Sequence, residues 1–226
     1  MAIIAIICAT HSEYLNIKRY ANVKHKLFIH NYDVVLCDEE NINYIIICSR
    51  SGINNAKECI EILMREYNLS LILSVGIAGG LVDYLNIGDI VISDNVYLVD
   101  KDKEVFTIDK SLCMNLYKII NNIIVNSQHM RGLLPRVYTG SIISVNKVVA
   151  NSQAARFLNE SFNGICVEME SGIIAKLCQL AGIRVVAVKI ISDFANEEAF
   201  STMNKNYFKA TSILGKVLCE SIKHLS

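Results

Sequence analysis

The sequence is poor in proline, tryptophan and charged residues. It has one proline and no tryptophan among 226 residues, and charged residues make up 19% of it, against about 25% in an ordinary globular protein. Hydrophobic residues reach 52%. This apolar surplus exceeds what one core of this size needs. It indicates a buried interface between subunits, and we expect a homodimer.

An excess of charge of either sign is also missing. Lysine and arginine number 22, aspartate and glutamate number 22, and the formal net charge is +0. Without a basic stripe or an acidic tail, neither nucleic acid nor a membrane surface is an expected partner. Apolar runs stay well below the roughly 18 residues that cross a bilayer. The opening MAIIAIICAT has no basic leader and predicts a first buried strand, not a signal peptide.

Cysteine and histidine patterns that hold metals are lacking. None of the eight cysteines forms a C-x-x-C pair, so we expect neither a zinc site nor a redox motif. Most lie in apolar segments, which is typical of small core residues in a reducing cytoplasm. The five histidines have no metal-ligand spacing, and no Ser-His-Asp order or nucleophile elbow is present. We therefore expect no metal, no cofactor and no serine-hydrolase chemistry.

Apolar runs of strand length alternate with helical periodicities along the chain. Many of these runs lack polar alternation, which is typical of strands covered on both faces. The pattern predicts an α/β fold, a three-layer αβα sandwich with a mixed, mostly parallel central sheet, in a single domain spanning residues 1–226. The predicted strands are 2–8, 34–37, 44–48, 71–75, 90–92, 137–144, 165–167 and 185–191, with a hairpin at 34–48; the predicted helical stripes are 53–64, 112–123, 173–180 and about 205–224, and 100–108 is predicted to be a polar loop.

Polar residues follow several of these runs, where ligands bind in open α/β sheets. They are Glu13, a predicted glycine turn at 76–80, Glu168 with Glu170, and Ser192 with Asp193. Each has a structural alternative: Glu13 and Glu170 suit the first turn of a helix, Asp193 suits a helix cap, and the glycines suit a tight turn. As a set they predict an acid-rich ligand site that excludes a simple phosphate cradle.

Three segments carry a family resemblance. SVGIAGGLVDYLNIGDIVISD (74–94), VEMESGIIAKLC (167–178) and VKIISDFAN (188–196) resemble the nucleoside phosphorylase and nucleosidase superfamily, most closely the bacterial 5'-methylthioadenosine/S-adenosylhomocysteine nucleosidases. The similarity extends over nearly the whole chain. It implies hydrolysis of the N-glycosidic bond of an adenine nucleoside with a 5'-thioether, which releases adenine and the thioribose.

The resemblance also implies residue roles. Glu13 would position and deprotonate the attacking water, Glu170 would bind the ribose hydroxyls, and Asp193 would protonate N7 of the leaving adenine. The positions that would contact the substrate are Ala78, Gly79, Val148, Val149, Glu168, Met169, Ser192 and Met203. Carboxylates near the sugar suit this reaction, because cleavage of the N-glycosidic bond builds positive charge on the ribose. Carboxylates crowded in one desolvated rim favour the protonated form of one of them, which Asp193 needs.

The sequence departs from the family pattern at several positions. Val148 replaces an aromatic face whose stacking on adenine is typically worth about 0.5–1.5 kcal/mol beyond burial. Other departures are Thr10 for methionine, Ile77 for serine, Lys189 for arginine, Asn196 for aspartate, and a shorter loop after Tyr97. In the family that loop helps the partner subunit to close the 5' pocket. These changes affect the prediction of the substrate more than the prediction of the reaction type.

The choice between water and phosphate depends on a few positions. Phosphorolytic relatives bring arginines to the phosphate, one of them where this chain has Ser74, and a serine where it has Ile77. Arg50 is the remaining candidate partner for a dianion. We predict hydrolysis by water. Alternatives are another glycosidic enzyme of the superfamily (a purine nucleoside phosphorylase, a futalosine hydrolase or an AMP nucleosidase) and a non-catalytic nucleoside-binding module on the same fold.

Overall fold

A computed structural model of the chain describes residues 3–40, 42–100, 103–127 and 134–225. In chain order the elements are β1 (Ile3–Cys8), α1 (His11–Lys18), β2 (Val23–Ile29), β3 (Tyr32–Glu39), β4 (Ile42–Cys48), α2 (Ile53–Glu66), β5 (Leu69–Gly80), β6 (Ile90–Val99), β7 (Lys103–Thr107), α3 (Lys110–Asn126), β8 (Val137–Val145), α4 (Ser152–Phe162), β9 (Gly164–Glu168), α5 (Ser171–Ala181), β10 (Arg184–Asp193) and α6 (Ala199–Ile222).

The strands form one mixed sheet. Adjacent strands of the sheet follow the order β10, β6, β8, β9, β5, β1, β4, β3 and β2, and β7 pairs with β6. A further pairing of β10 with β5 closes five strands into a ring, so that β5 has three neighbours. Among the described strands, five pairings are parallel and five antiparallel. The predicted α/β class with a mixed sheet is confirmed.

Both faces of the sheet are buried. Ile4 and Ile6 of β1 contribute to one apolar cluster, and Ala5 and Ile7 to another, as the alternation of side chains along a strand requires. The first cluster includes side chains of α1, α3 and α6, and the second includes those of α2 and α5. Helices therefore cover the sheet on both sides, which explains the continuous apolar runs. No helix of the described residues is long and apolar enough to cross a membrane.

Three expectations differ from the structure. The predicted glycine turn at 76–80 is wrong, because these residues continue β5 and pair with β9 and β10. The predicted polar loop at 100–108 contains strand β7, although residues 101 and 102 lie outside the described part. Helix α6 begins at Ala199, ahead of the expected start near residue 205. Periodicity also gave no sign of β2, which is an exposed edge strand.

Candidate active site

Glu13 is fixed by backbone groups at the start of α1. Thr10 caps this helix and accepts a hydrogen bond from Glu13 N, while Glu13 Oε2 accepts from Thr10 N at 2.8 Å and from Ala9 N at 3.1 Å. Its Oε1 accepts from Ile77 N of β5 at 2.9 Å. The side chain is only 2% exposed. The Glu13 carboxylate is therefore held against the end of β5, and its helix-capping role coexists with a position in the site.

Two glycines of β5 make room for carboxylates. A Cβ at Gly76 would lie 2.7 Å from Glu13 Oε1, and one at Gly79 would lie 2.9 Å from Asp193 Oδ1. Real Cβ atoms do not approach oxygen so closely. The glycine-rich stretch thus allows two acids to lie against the strand backbone, which is a different use from the predicted turn.

Asp193 is the last residue of β10 and lies beside Gly79. Its Oδ2 accepts a hydrogen bond from Ser192 Oγ at 2.7 Å, and its Oδ1 accepts from Ala195 N at 2.9 Å. Ser192 Oγ also lies 3.4 Å from the carbonyl oxygen of Ala78. These contacts bring Ala78, Gly79, Ser192 and Asp193 together at the carboxyl end of β5.

Glu168 belongs to a buried polar network. Its Oε2 lies 2.8 Å from Lys189 Nζ, and both side chains are 3% exposed. Ser171 donates to Glu168 through its N–H and its hydroxyl, and Ser74 Oγ lies 2.9 Å from Ser171 Oγ. Burial raises the pKa of Glu168, but the charge of Lys189 and these hydrogen bonds outweigh it and hold the pKa below its usual range. Glu168 is therefore an ionised partner of Lys189.

Glu170 has a different environment. It is 7% exposed, and its Oε1 accepts a hydrogen bond from Gly52 N at 2.7 Å. Burial, and then the charge of Glu168, raise the pKa of Glu170 to about 7, with a smaller contribution from Glu13. The negative charge of Glu13 therefore contributes to the electrostatic environment of Glu170. Although Glu170 precedes α5, it makes no side-chain capping bond to that helix.

The apolar residues of the predicted site differ in their burial. Met169 is half-buried between Glu168 and Glu170. Val149 packs on a small cluster that includes Val167 and Ala195, whereas Val148 is 49% exposed. Met203 is half-buried on α6, which packs along α1 and β10.

The sequence interpretation missed Tyr207 and Gly52. Tyr207 lies one helical turn after Met203, and its hydroxyl is hydrogen-bonded to Thr10 Oγ1 beside the Glu13 carboxylate. Burial and the Glu13 charge raise its pKa. The i, i+4 spacing from Met203 was the available signal for Tyr207. Gly52 gave no such signal, because only the fold brings its N–H group to Glu170.

The candidate phosphate partners are engaged elsewhere. Arg50 Nη2 donates to the carbonyl oxygen of Asn31 at 3.0 Å, and its guanidinium lies 5.5 Å from the ring centre of Tyr32. Ser74 belongs to the Lys189 network, and Ile77 offers only a backbone N–H, which Glu13 accepts. Within residues 3–40, 42–100, 103–127 and 134–225, no group of three or more His, Cys, Asp or Glu side chains could hold a metal ion.

Buried acids held at the end of a central strand make this region the candidate for a small-molecule site with general acid and base groups. The family model of the Phosphorylase superfamily matches residues 3–223, and the chain belongs to this superfamily.

Among individual relatives, the chain is similar to 5'-methylthioadenosine/S-adenosylhomocysteine nucleosidase of Staphylococcus aureus, with 28% identity over 182 residues, which are 74% of this chain and 75% of the relative. The corresponding crystal structure from Helicobacter pylori, in complex with butyl-thio-DADMe-Immucillin-A, superimposes with a TM-score of 0.87 at 21% identity, covering 100% of this chain and 99% of the other. The native futalosine hydrolase of Helicobacter pylori gives the same TM-score at 21% identity, covering 99% of this chain and 98% of the other.

Proposed function

We propose that the protein is an N-glycosyl hydrolase that cleaves 5'-methylthioadenosine or S-adenosylhomocysteine to adenine and the thioribose. The observation that carries the proposal is that Glu13 and Asp193 lie against glycines at the carboxyl end of β5, with the charge of Glu13 acting on Glu170, and that each of the three acids is at most 7% exposed. A binding module has no need for three buried acids held in this way. The similarity to methylthioadenosine nucleosidases supports the same reaction.

Asp193 acts as the general acid at the base. Ser192 Oγ and Ala195 N each hold one carboxyl oxygen, so the group has a single orientation along the rim. A proton delivered to N7 of adenine makes the base a better leaving group, and a positioned acid typically contributes about 10²–10⁴-fold to the rate.

Glu13 and Glu170 act at the sugar. Positive charge grows on the ribose as the glycosidic bond breaks, and two buried carboxylates stabilise it more strongly than they would in water. Glu13 takes the proton of the attacking water, Glu170 accepts hydrogen bonds from ribose hydroxyls, and Met169 packs against the sugar. Water is the nucleophile because Arg50, Ser74 and Ile77 leave a phosphate dianion without partners.

The experiment is a base-release assay. The protein is incubated with methylthioadenosine, S-adenosylhomocysteine, adenosine, inosine, AMP and futalosine, each with and without phosphate. We expect adenine release from the two thioethers at the same rate in both buffers. Phosphate-dependent release with ribose 1-phosphate as product would refute hydrolysis, and cleavage of futalosine alone would reassign the substrate.

Asp193→Asn separates catalysis from binding. We expect a loss of adenine release of roughly 10²–10⁴-fold with unchanged folding. Asn196→Ala, in the loop that follows Asp193, is the matched control and keeps most of the activity. Normal turnover by the Asp193 variant would remove this residue from the mechanism.

We propose further that the protein is a homodimer in the cytoplasm. Hydrophobic residues make up 52% of the sequence, more than one core of this size needs, which favours a covering partner; Val125, Phe157, Leu180 and Phe208 are 58–77% exposed in the single chain. All eight cysteines are free thiols, as a reducing compartment favours. Light scattering should give twice the mass of one chain, 25.2 kDa; a monomer at every concentration would contradict the dimer.

A further inference from the structure

Two cysteines lie side by side next to the proposed catalytic glutamate. Cys8 ends β1, Cys48 ends β4, and the two are paired in register between parallel strands. Neighbouring strands lie about 4.8 Å apart, and disulfides form across Cα distances of about 4.4–6.8 Å. Paired residues in register place their side chains on the same face of the sheet. The backbone therefore already has the separation that a disulfide needs.

The two thiols contact the backbone that holds Glu13. Cys8 Sγ lies 3.9 Å from the carbonyl oxygen of Thr10, and Cys48 Sγ lies 3.7 Å from that of Ala9. Ala9 and Thr10 are also the residues whose N–H groups donate to Glu13 Oε2. A change at either sulfur thus acts on the segment that positions the carboxylate.

Cys48 also leads into the loop that reaches Glu170. Gly52, four residues further along the chain, donates its N–H to Glu170 Oε1 at 2.7 Å. Cys48 is half-buried while Cys8 is 1% exposed, so a small solute meets Cys48 first. The pair therefore lies between the segments that hold two of the three proposed catalytic acids.

We propose that Cys8 and Cys48 form a peroxide-sensitive modification site, in which oxidation to an intrachain disulfide displaces Glu13 and switches off the enzyme. The modification is independent of the proposed function. Its effect on turnover depends on that function.

The chemistry needs hydrogen peroxide as the oxidant. The Cys48 thiolate attacks one peroxide oxygen, the O–O bond breaks, and a sulfenic acid and hydroxide form. The Cys8 sulfur then attacks Cys48 Sγ, the S–S bond forms, the S–O bond breaks, and the leaving hydroxide takes the Cys8 proton as water. Overall, two thiols lose two hydrogen atoms and one peroxide becomes two waters.

The proposed reaction needs Cys48 to be the more reactive thiol and Cys8 the less reactive one, and the two thiols differ in this way. Hydrogen bonding with the Cys8 thiol lowers the pKa of Cys48 to about 7, so a large share of Cys48 is thiolate at neutral pH. The Cys8 proton, which points to the carbonyl oxygen of Ile47 at 3.3 Å, can turn to that thiolate. Burial raises the pKa of Cys8, which suits a resolving thiol that reacts second.

Mass spectrometry of the full chain tests the site without reference to activity. After treatment with hydrogen peroxide we expect the loss of two hydrogen atoms, a cross-link between the peptides of Cys8 and Cys48, and reversal by dithiothreitol. Cys48→Ser should abolish the cross-link. In Cys8→Ala a sulfenic acid should persist at Cys48 and react with dimedone. Cys178→Ala, buried on the opposite face of the sheet, is the matched control and should still form the cross-link.

The activity arm measures base release before and after oxidation. Displacing a catalytic group by about 1 Å costs roughly 100-fold, so we expect a loss of that size, restored by dithiothreitol and absent in Cys48→Ser relative to its own untreated rate. An absent cross-link, or one between other cysteines, would overturn the modification site. A cross-link without loss of turnover would overturn the switch. If no nucleoside is cleaved even before oxidation, the proposed function fails, while the mass measurement still decides on the site.

Discussion

Lys189 is the cation that lies among the site glutamates, and it is bound to one of them. Its Nζ contacts Glu168 directly, and the charges of Glu170 and Glu13 also raise its pKa against the effect of burial. One lysine cannot neutralise three buried carboxylates. Burial, and then the negative charge of Glu168, raise the pKa of Glu170 to about 7. We infer that Glu168 mainly anchors Lys189, and that Glu170 is the carboxylate left for the ribose.

The raised pKa of Glu170 predicts a pH-dependent stability. An ordinary glutamate titrates near 4.5, so between pH 4.5 and about 7 the folded state binds more protons than the unfolded state. Stability from this group is fully present below pH 4.5 and is lost as the pH rises through about 7. Glu170→Gln, which still offers an acceptor to Gly52, should therefore be more stable than the wild type above pH 7, with the advantage shrinking toward pH 5.

Thermal unfolding of both proteins between pH 5 and 8 measures this difference. Glu160→Gln, which changes an exposed glutamate of α4, is the control and should follow the wild type throughout. A constant offset between Glu170→Gln and the wild type across the whole range would show that Glu170 does not titrate there.

The Glu168–Lys189 pair should be costly to break from one side. Lys189→Met leaves a buried carboxylate without its counter-charge and should lower the free energy of unfolding by about 3–5 kcal/mol. The double variant Glu168→Gln/Lys189→Met should recover most of this loss. As a control, the pair of Lys176 and Glu104 is closer still, at 2.6 Å, but its side chains are 38% and 35% exposed, so Lys176→Met should cost less than about 1 kcal/mol.

Urea unfolding of these variants gives the coupling energies directly. Equal losses for Lys189→Met and Lys176→Met would mean that burial does not distinguish the two pairs.

At the scale of elements, β5 organises the site. Three positions in the second half of this strand contact different partners. Ser74 joins the Lys189 network, Ile77 N donates to Glu13, and Gly79 lies against Asp193. Because β5 pairs with β1, β9 and β10, it lies next to the strands that lead into the three proposed catalytic acids. The glycines allow this convergence, since larger residues would push the acids away from the strand.

A substitution at Gly79 should therefore act on catalysis selectively, whereas one at Gly76, where φ is 154°, also strains the backbone. Gly76→Ala and Gly79→Ala place a methyl group 2.7 Å and 2.9 Å from the oxygens of Glu13 and Asp193, and we expect a loss in kcat/KM of roughly 100-fold. Gly80→Ala is the matched control in the same strand, because its nearest contacts lie at 3.5 Å. Comparable losses in all three variants would point to a general effect on the strand.

At the scale of the whole molecule, one sheet joins the chain from β1 to β10, and α6 returns to pack on α1. We propose a single folding unit for the chain. With no tryptophan and ten tyrosines, tyrosine fluorescence reports on tertiary structure and far-ultraviolet circular dichroism on secondary structure. Both should show one coincident transition in urea. Two separated transitions would indicate two units.

Sequence reasoning reached most of the fold. Strands covered on both faces leave continuous apolar runs such as 185–191, and the stripe at 53–64 marks α2, so both were predicted. Strand β2 was missed because an exposed edge strand has no core-facing pattern. The start of α6 was placed too late, since its first turn carries exposed residues such as Phe200. Hydrophobic periodicity in a sequence reveals an element only where that element buries one face or both, so exposed strands and exposed helix ends are missed.

Hydrophobic periodicity was enough to predict the alternation of strands and helices, and acids placed after apolar runs singled out Glu13, Glu170 and Asp193 as candidates. How these acids are held depends on the folded chain. The N–H groups of Gly52 and Ile77, the charge of Lys189 and the space at Gly76 and Gly79 come from distant parts of the chain. Hydrogen bonds and desolvation depend on which residues are neighbours in three dimensions, and a local pattern of residues does not contain that information.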